Sequence, residues 1–304
     1  MLDEGAPKEP AGGGTRIGLG IFIGGLAAAL IAGFGLGKVT GQVAPAGNAP
    51  VGTVTAQPTG GDGHAHGGPQ ATAGSEVGGL AISAGGYTLT PIGHDGGKLS
   101  FVIKGPDGAP VTAFAIVHEK PLHLVVVRRD LTGYQHLHPT MAPDGTWSVA
   151  ADLGRPGAWR VFADFATVNA AGVQTALTLG YDITVPGEQR PAALPAPARE
   201  STVDGYTVTY EGTANVGATQ PMLFRVYQNG APVSGLEPYL GSFGHLVVLR
   251  DGDLAYVHVH PEPQLVSGAV KFWIAAPSPG TYRLFFDYQV AGTVHTAEFT
   301  LAVK

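Results

Sequence analysis

The chain has 304 residues, 13% of them charged, with a formal net charge of −6 and a pI near 6.0; it carries no basic patch with interleaved aromatics, which argues against nucleic acid as a partner. It has no cysteine, which removes disulfides, thiolate zinc sites, thiol redox chemistry and blue-copper centres together. With only 3 methionines, any bound metal must be content with nitrogen and oxygen donors.

Residues 1–16 read as a short cytoplasmic N-terminus containing Lys8 and Arg16. An uncharged apolar run comes next at 17–37, and at helical rise it would span about 30 Å, enough to remain as a transmembrane signal anchor. The basic residues before it slightly outweigh Lys38 after it, which places the C-terminal side of the anchor outside the cytoplasm. Residues 38–79 are rich in Gly, Ala and Pro and read as a flexible linker, with His64 and His66 inside it. The expected location is the cell membrane, single-pass, with the C-terminal domains extracytoplasmic.

Two domains are expected beyond the linker, at 80–185 and 200–304, separated by a proline-rich spacer at 186–199. They are copies of one unit. Gly86-Tyr87-Thr88-Leu89-Thr90 answers to Gly205-Tyr206-Thr207-Val208-Thr209, and Trp159-Arg160-Val161-Phe162-Ala163-Asp164-Phe165 to Tyr282-Arg283-Leu284-Phe285-Phe286-Asp287-Tyr288. Short β-branched and aromatic runs, punctuated by Pro-Asp-Gly, Gln-Asn-Gly and Ser-Pro-Gly turns, predict an all-β chain of two tandem immunoglobulin-like antiparallel β-sandwich domains.

The strongest functional signal is a histidine pattern present in both copies. His123-Leu124-Val125-Val126-Val127-Arg128 leads to Tyr134-Gln135-His136-Leu137-His138-Pro139, and His245-Leu246-Val247-Val248-Leu249-Arg250 leads to Tyr256-Val257-His258-Val259-His260-Pro261. Alternate residues of a strand share a face, so His136 pairs with His138 and His258 with His260. A hairpin with an even number of residues between partners would bring His123 or His245 to the same side. Three imidazoles on one face supply most of a first coordination shell, which predicts one metal site per domain. Asp164 and Asp287 lie in apolar strands where an unpaired carboxylate is costly, and each is a candidate fourth ligand or a support for a ligand imidazole. The alternative for these two is an ion pair with Arg128, Arg160, Arg250 or Arg283. His94, His118 and His295 are expected to be surface or structural residues.

At its His segments and its Phe-Ala-Asp-Phe and Phe-Phe-Asp-Tyr strands, the chain resembles bacterial secreted or membrane-anchored proteins that carry a His-Leu, Asp-Leu, His-X-His-Pro pattern. That resemblance implies handling of copper or another heavy metal. The combined expectation is a membrane-anchored metal-binding protein for copper or zinc sequestration, sensing or delivery, with metal ions and a metal-handling protein as partners. No general base is visibly placed beside either cluster, so an enzyme is the weaker reading. The other alternative is a structural or adhesive sandwich pair that binds a protein.

Overall fold

The computed structural model describes residues 77–304 apart from residue 96. Among the described residues every regular element is a strand, and no helix is long and apolar enough to cross a membrane. The expected N-terminus, the anchor at 17–37 and linker residues 38–76 lie outside the described residues.

The first sandwich holds β1 (Ser83–Ala84), β2 (Tyr87–Asp95), β3 (Lys98–Lys104), β4 (Leu122–Arg128), β5 (Gln135–Leu137), β6 (Thr140–Met141), β7 (Thr146–Ala150), β8 (Gly157–Val168) and β9 (Gln174–Val185). One sheet runs β1-β2-β3-β7-β6 and the other β5-β4-β8-β9, antiparallel throughout. The second sandwich holds β10 (Glu200–Val203), β11 (Tyr206–Gly212), β12 (Gln220–Gln228), β13 (Ala231–Pro232), β14 (Leu236–Glu237), β15 (His245–Arg250), β16 (Tyr256–Val257), β17 (Val259–Pro261), β18 (Val270–Ile274), β19 (Gly280–Val290) and β20 (Thr293–Val303). Its sheets are β10-β11-β12-β18-β17, with β13 also on β12, and β14-β19-β15-β16, with β20 also on β19.

Strand alternation builds each core. Leu122, Leu124 and Val126 of β4 and Val161, Ala163 and Phe165 of β8 meet Leu89, Phe101 and Trp147 of the opposite sheet. Leu246, Val248, Leu284 and Phe286 do the same against Phe224 and Phe272 in the second half.

The other face of the same strands is largely apolar too, which explains why residues 124–127 of β4 read as a continuous hydrophobic run rather than an alternating one. Val125, Val127, Leu131 and Phe162 pack on Val247, Leu249, Leu254, Tyr256 and Phe285, closing a third core between the halves. Both sandwiches belong to one compact unit. The packing at this seam is reciprocal: Tyr134 stacks on Phe285 (4.1 Å between centroids, 4° between planes), and its equivalent Tyr256 lies tilted on Phe162 (5.7 Å, 51°). Equivalent surfaces meeting in this way have the form of a two-fold interface made within one chain.

The chain entering the first sandwich crosses this seam. Gly78 exchanges backbone hydrogen bonds with Tyr256 (3.2 and 3.1 Å), and Gly79 N–H donates to Thr178 of β9 (2.8 Å). Arg160 donates to the carbonyls of Gly79 and Leu80. A Cβ on Gly79 would stand 2.4 Å from the Phe162 ring, and its φ is +74°, so glycine alone suits the position.

Candidate metal centre

Register decides where the first three histidines point. In the β4–β5 hairpin Leu124 pairs with Leu137 and Val125 with His136, so His123 stands level with His138, just past the last pair. Side chains at 123, 136 and 138 therefore leave the same face, the one turned to the second sandwich. There they meet His245. Its ring lies parallel to His123 at 5.3 Å (6°) and 4.5 Å from His136. Ligand nitrogens of His123, His136 and His245 lie within 4.8 Å of one another. His138 stands edge-on to His123 at 5.1 Å and against His136 at 4.8 Å.

The hydrogen bonds around two of these rings determine which nitrogens are free to ligate. His123 Nε2 meets the carbonyl of Val117 at 3.0 Å, and His136 Nδ1 meets the carboxylate of Asp287 at 2.9 Å. Both partners are acceptors, so both ring nitrogens carry the proton. In the neutral tautomers this leaves lone pairs on His123 Nδ1 and His136 Nε2, which face one another at 3.1 Å. Two lone pairs at that distance repel unless a cation or a shared proton joins them. Two nitrogens on one tetrahedral ion sit about 3.3 Å apart, given bonds of about 2.0–2.1 Å. Pinning the far nitrogen to a carboxylate or a backbone carbonyl is the arrangement that orients metal-ligating imidazoles.

Asp287 is itself held in place. Its Oδ2 also accepts from the Tyr134 hydroxyl (3.1 Å) and its Oδ1 from Thr296 (2.6 Å). Burial and the neighbouring Asp287 push the Tyr134 phenol well above its usual range, which keeps it a donor. The side chains of His136 and Asp287 are 3% and 2% exposed. Burial, then the adjacent rings, lowers His123 to about 4 and His138 to about 3, and holds His245 well below the usual histidine range. The three stay neutral, the state that binds metal.

The arrangement differs from one site per domain. His258 and His260, the equivalents of His136 and His138, are exposed and lie 5.4 Å apart, outside the cluster at the seam. β16 pairs with β15 only at Val248–Val257 and Leu249–Tyr256; the chain then leaves, and β17 pairs with β18 in the other sheet. Asp164 is half-buried and accepts from Thr178 (2.9 Å), with no imidazole among the described residues hydrogen-bonded to it. The arginines considered as partners for the two aspartates are paired elsewhere: Arg128 with Asp130, Arg160 with Asp182, Arg250 with Asp253 and Arg283 with Glu298.

His118, for which sequence predicts a surface or structural role, belongs to the cluster. Its ring lies 6.1 Å from His123 and 5.8 Å from His245. It sits in a two-residue turn closed by Val117 and Lys120, in which His118 and Glu119 have φ of 48° and 64°. The matching turn, between Tyr239 and Ser242, carries Leu240 and Gly241 at φ of 57° and 78°. His118 thus has a counterpart in the fold, and that counterpart is leucine. The usable signal in the sequence is its closeness to His123.

The fold and site define a tandem β-sandwich protein with an imidazole cluster at the seam between its halves. The chain belongs to the family described as a domain of unknown function, DUF8832, whose model matches residues 76–182 and again 201–304. No curated protein matches it. Among solved structures it is similar to invasin, a bacterial integrin-binding protein, at 14% identity over 73% of this chain, with a TM-score of 0.20. The match spans 41% of the invasin chain. A chimeric titin Z1Z2 carrying a decorin peptide is 16% identical over 68% of this chain and 87% of its own, with a TM-score of 0.19. Titin A168–A169 is 10% identical over 76% and 96%, with a TM-score of 0.17. At such overlaps the fold assignment rests on the strand pairing, and these proteins carry no argument about function.

Proposed function

We propose that this protein binds one transition-metal ion at the seam, through His123, His136 and His245, and that it serves in sequestration, sensing or delivery of copper or zinc. The observation that carries this reading is that His123 Nδ1 and His136 Nε2 face one another at 3.1 Å, each with the far nitrogen of its ring against an acceptor. Imidazole suits both Cu(II) and Zn(II), and affinity order favours Cu(II). We read the sandwiches as immunoglobulin-like modules held outside the cytoplasm by an anchor at 17–37, with a metal-handling protein as donor or acceptor. Equilibrium titration of the full chain in detergent with Cu(II) and with Zn(II) tests the reading. About one equivalent bound by the parent and lost in His136→Ala supports it; absence of specific binding removes it. Membrane fractionation with external protease tests the anchor, since protection of the C-terminal domains would contradict it.

A further inference from the structure

Three ligands leave a tetrahedral ion one position short, and the seam holds a side chain suited to fill it. His138 Nε2 is buried and has no hydrogen-bond partner among the described residues. A buried polar atom without a partner is costly, so its retention calls for an occupant that satisfies it. The ring leaves the hairpin on the same face as His123 and His136 and already touches both, at 5.1 and 4.8 Å. It is not one of the three whose nitrogens lie within 4.8 Å of one another, so joining them requires its ring to turn inward.

We infer that His138 is the fourth ligand, completing an all-imidazole shell of His123, His136, His138 and His245 around one Cu(II) or Zn(II). This rests on the metal-binding reading above. Three of the ligands come from the first sandwich and one from the second, so the ion joins the halves. A closed set of four protein ligands holds no open position for water, and this separates a binding or transfer site from a hydrolytic one.

The test is Cu(II) binding to the full chain, read by titration and by the nitrogen hyperfine pattern in electron paramagnetic resonance. His138→Ala and the bulkier, polar His138→Gln are compared with the parent and with His94→Ala, a histidine away from the seam. The expected result is a four-nitrogen pattern in the parent and in His94→Ala. Both position-138 variants should show a three-nitrogen pattern and affinity weakened by about tenfold or more. Parent-like affinity and spectrum in both His138 variants would overturn the fourth ligand while leaving the three-histidine site standing. Failure of the parent to bind would remove the site and this inference together.

Discussion

The segments Tyr134–Pro139 and Tyr256–Pro261 start alike and end apart. Each tyrosine crosses the seam to lie on a phenylalanine of the other half. Beyond it, β5 continues along β4 through Leu137, carrying His136 to Asp287 and His138 to the cluster, whereas β16 ends at Val257 and the chain departs for the other sheet. Two residues of extra pairing therefore separate a buried imidazole from an exposed one. The same His-X-His pattern is placed by where its strand stops.

That contrast can be broken most severely at the ligands. His136→Ala should weaken binding at the proposed site by more than about 100-fold, because loss of a direct ligand exceeds the 10–100-fold effect typical of its supports. His258→Ala should leave the affinity near the parent value, and titration of the two variants side by side reads the difference. Next comes the pair of aspartates. Asp287→Asn removes the carboxylate that sets the His136 tautomer and should cost about 10–100-fold, while Asp164→Asn, with no imidazole among the described residues bonded to it, should cost far less. Equal losses in the two would show that the halves contribute alike.

The entering segment offers a smaller test, because it fills the seam beside Tyr256. Gly79→Ala brings a methyl into Phe162 and should destabilise the chain by about 2 kcal/mol in denaturant unfolding. Gly172→Ala, at φ +79° with open space around it, measures the backbone share alone. The smallest single contribution is that of one histidine to the pH dependence of the metal-free chain. His123 has a folded pKa of about 4, below its unfolded value near 6.5, so the unfolded chain binds more protons between those limits. Its contribution is therefore fully present above pH 6.5 and is lost as pH falls toward 4. Going from pH 7.5 to 5.5 should cost about 1 kcal/mol through His123 alone, and the lowered His138 and His245 act in the same direction. Thermal unfolding across that range, flatter in His123→Gln, checks the sign.

The repeat, the all-β class and the shared face of His136 and His138 are legible in the sequence because strand alternation and spacing are local properties. Their places in apolar strands mark Asp164 and Asp287 alike as residues with a partner, and the sequence does not tell the threonine on Asp164 from the imidazole on Asp287. What spacing does not supply is that His136 and Asp287, 151 positions apart, meet across the seam. Periodicity says which residues share a face and is silent on which face another sheet will cover. The unbroken apolar run in β4 is a clue, since a strand buried on one side only would alternate. His118 is hidden from a comparison of the two copies because its counterpart is Leu240, so no histidine repeats at that position.

The reciprocal form of the seam has a historical consequence. Two separate copies of one domain meeting through this face would be bound by symmetry: any change to His136 would appear in both subunits, and whatever filled one edge of the interface would have to fill the other. Joining the copies in a single chain lifts that constraint. One half could then carry leucine where the other has a turn histidine, end a strand earlier and pair its Tyr256 with the entering backbone, while the other kept three histidines at the cluster.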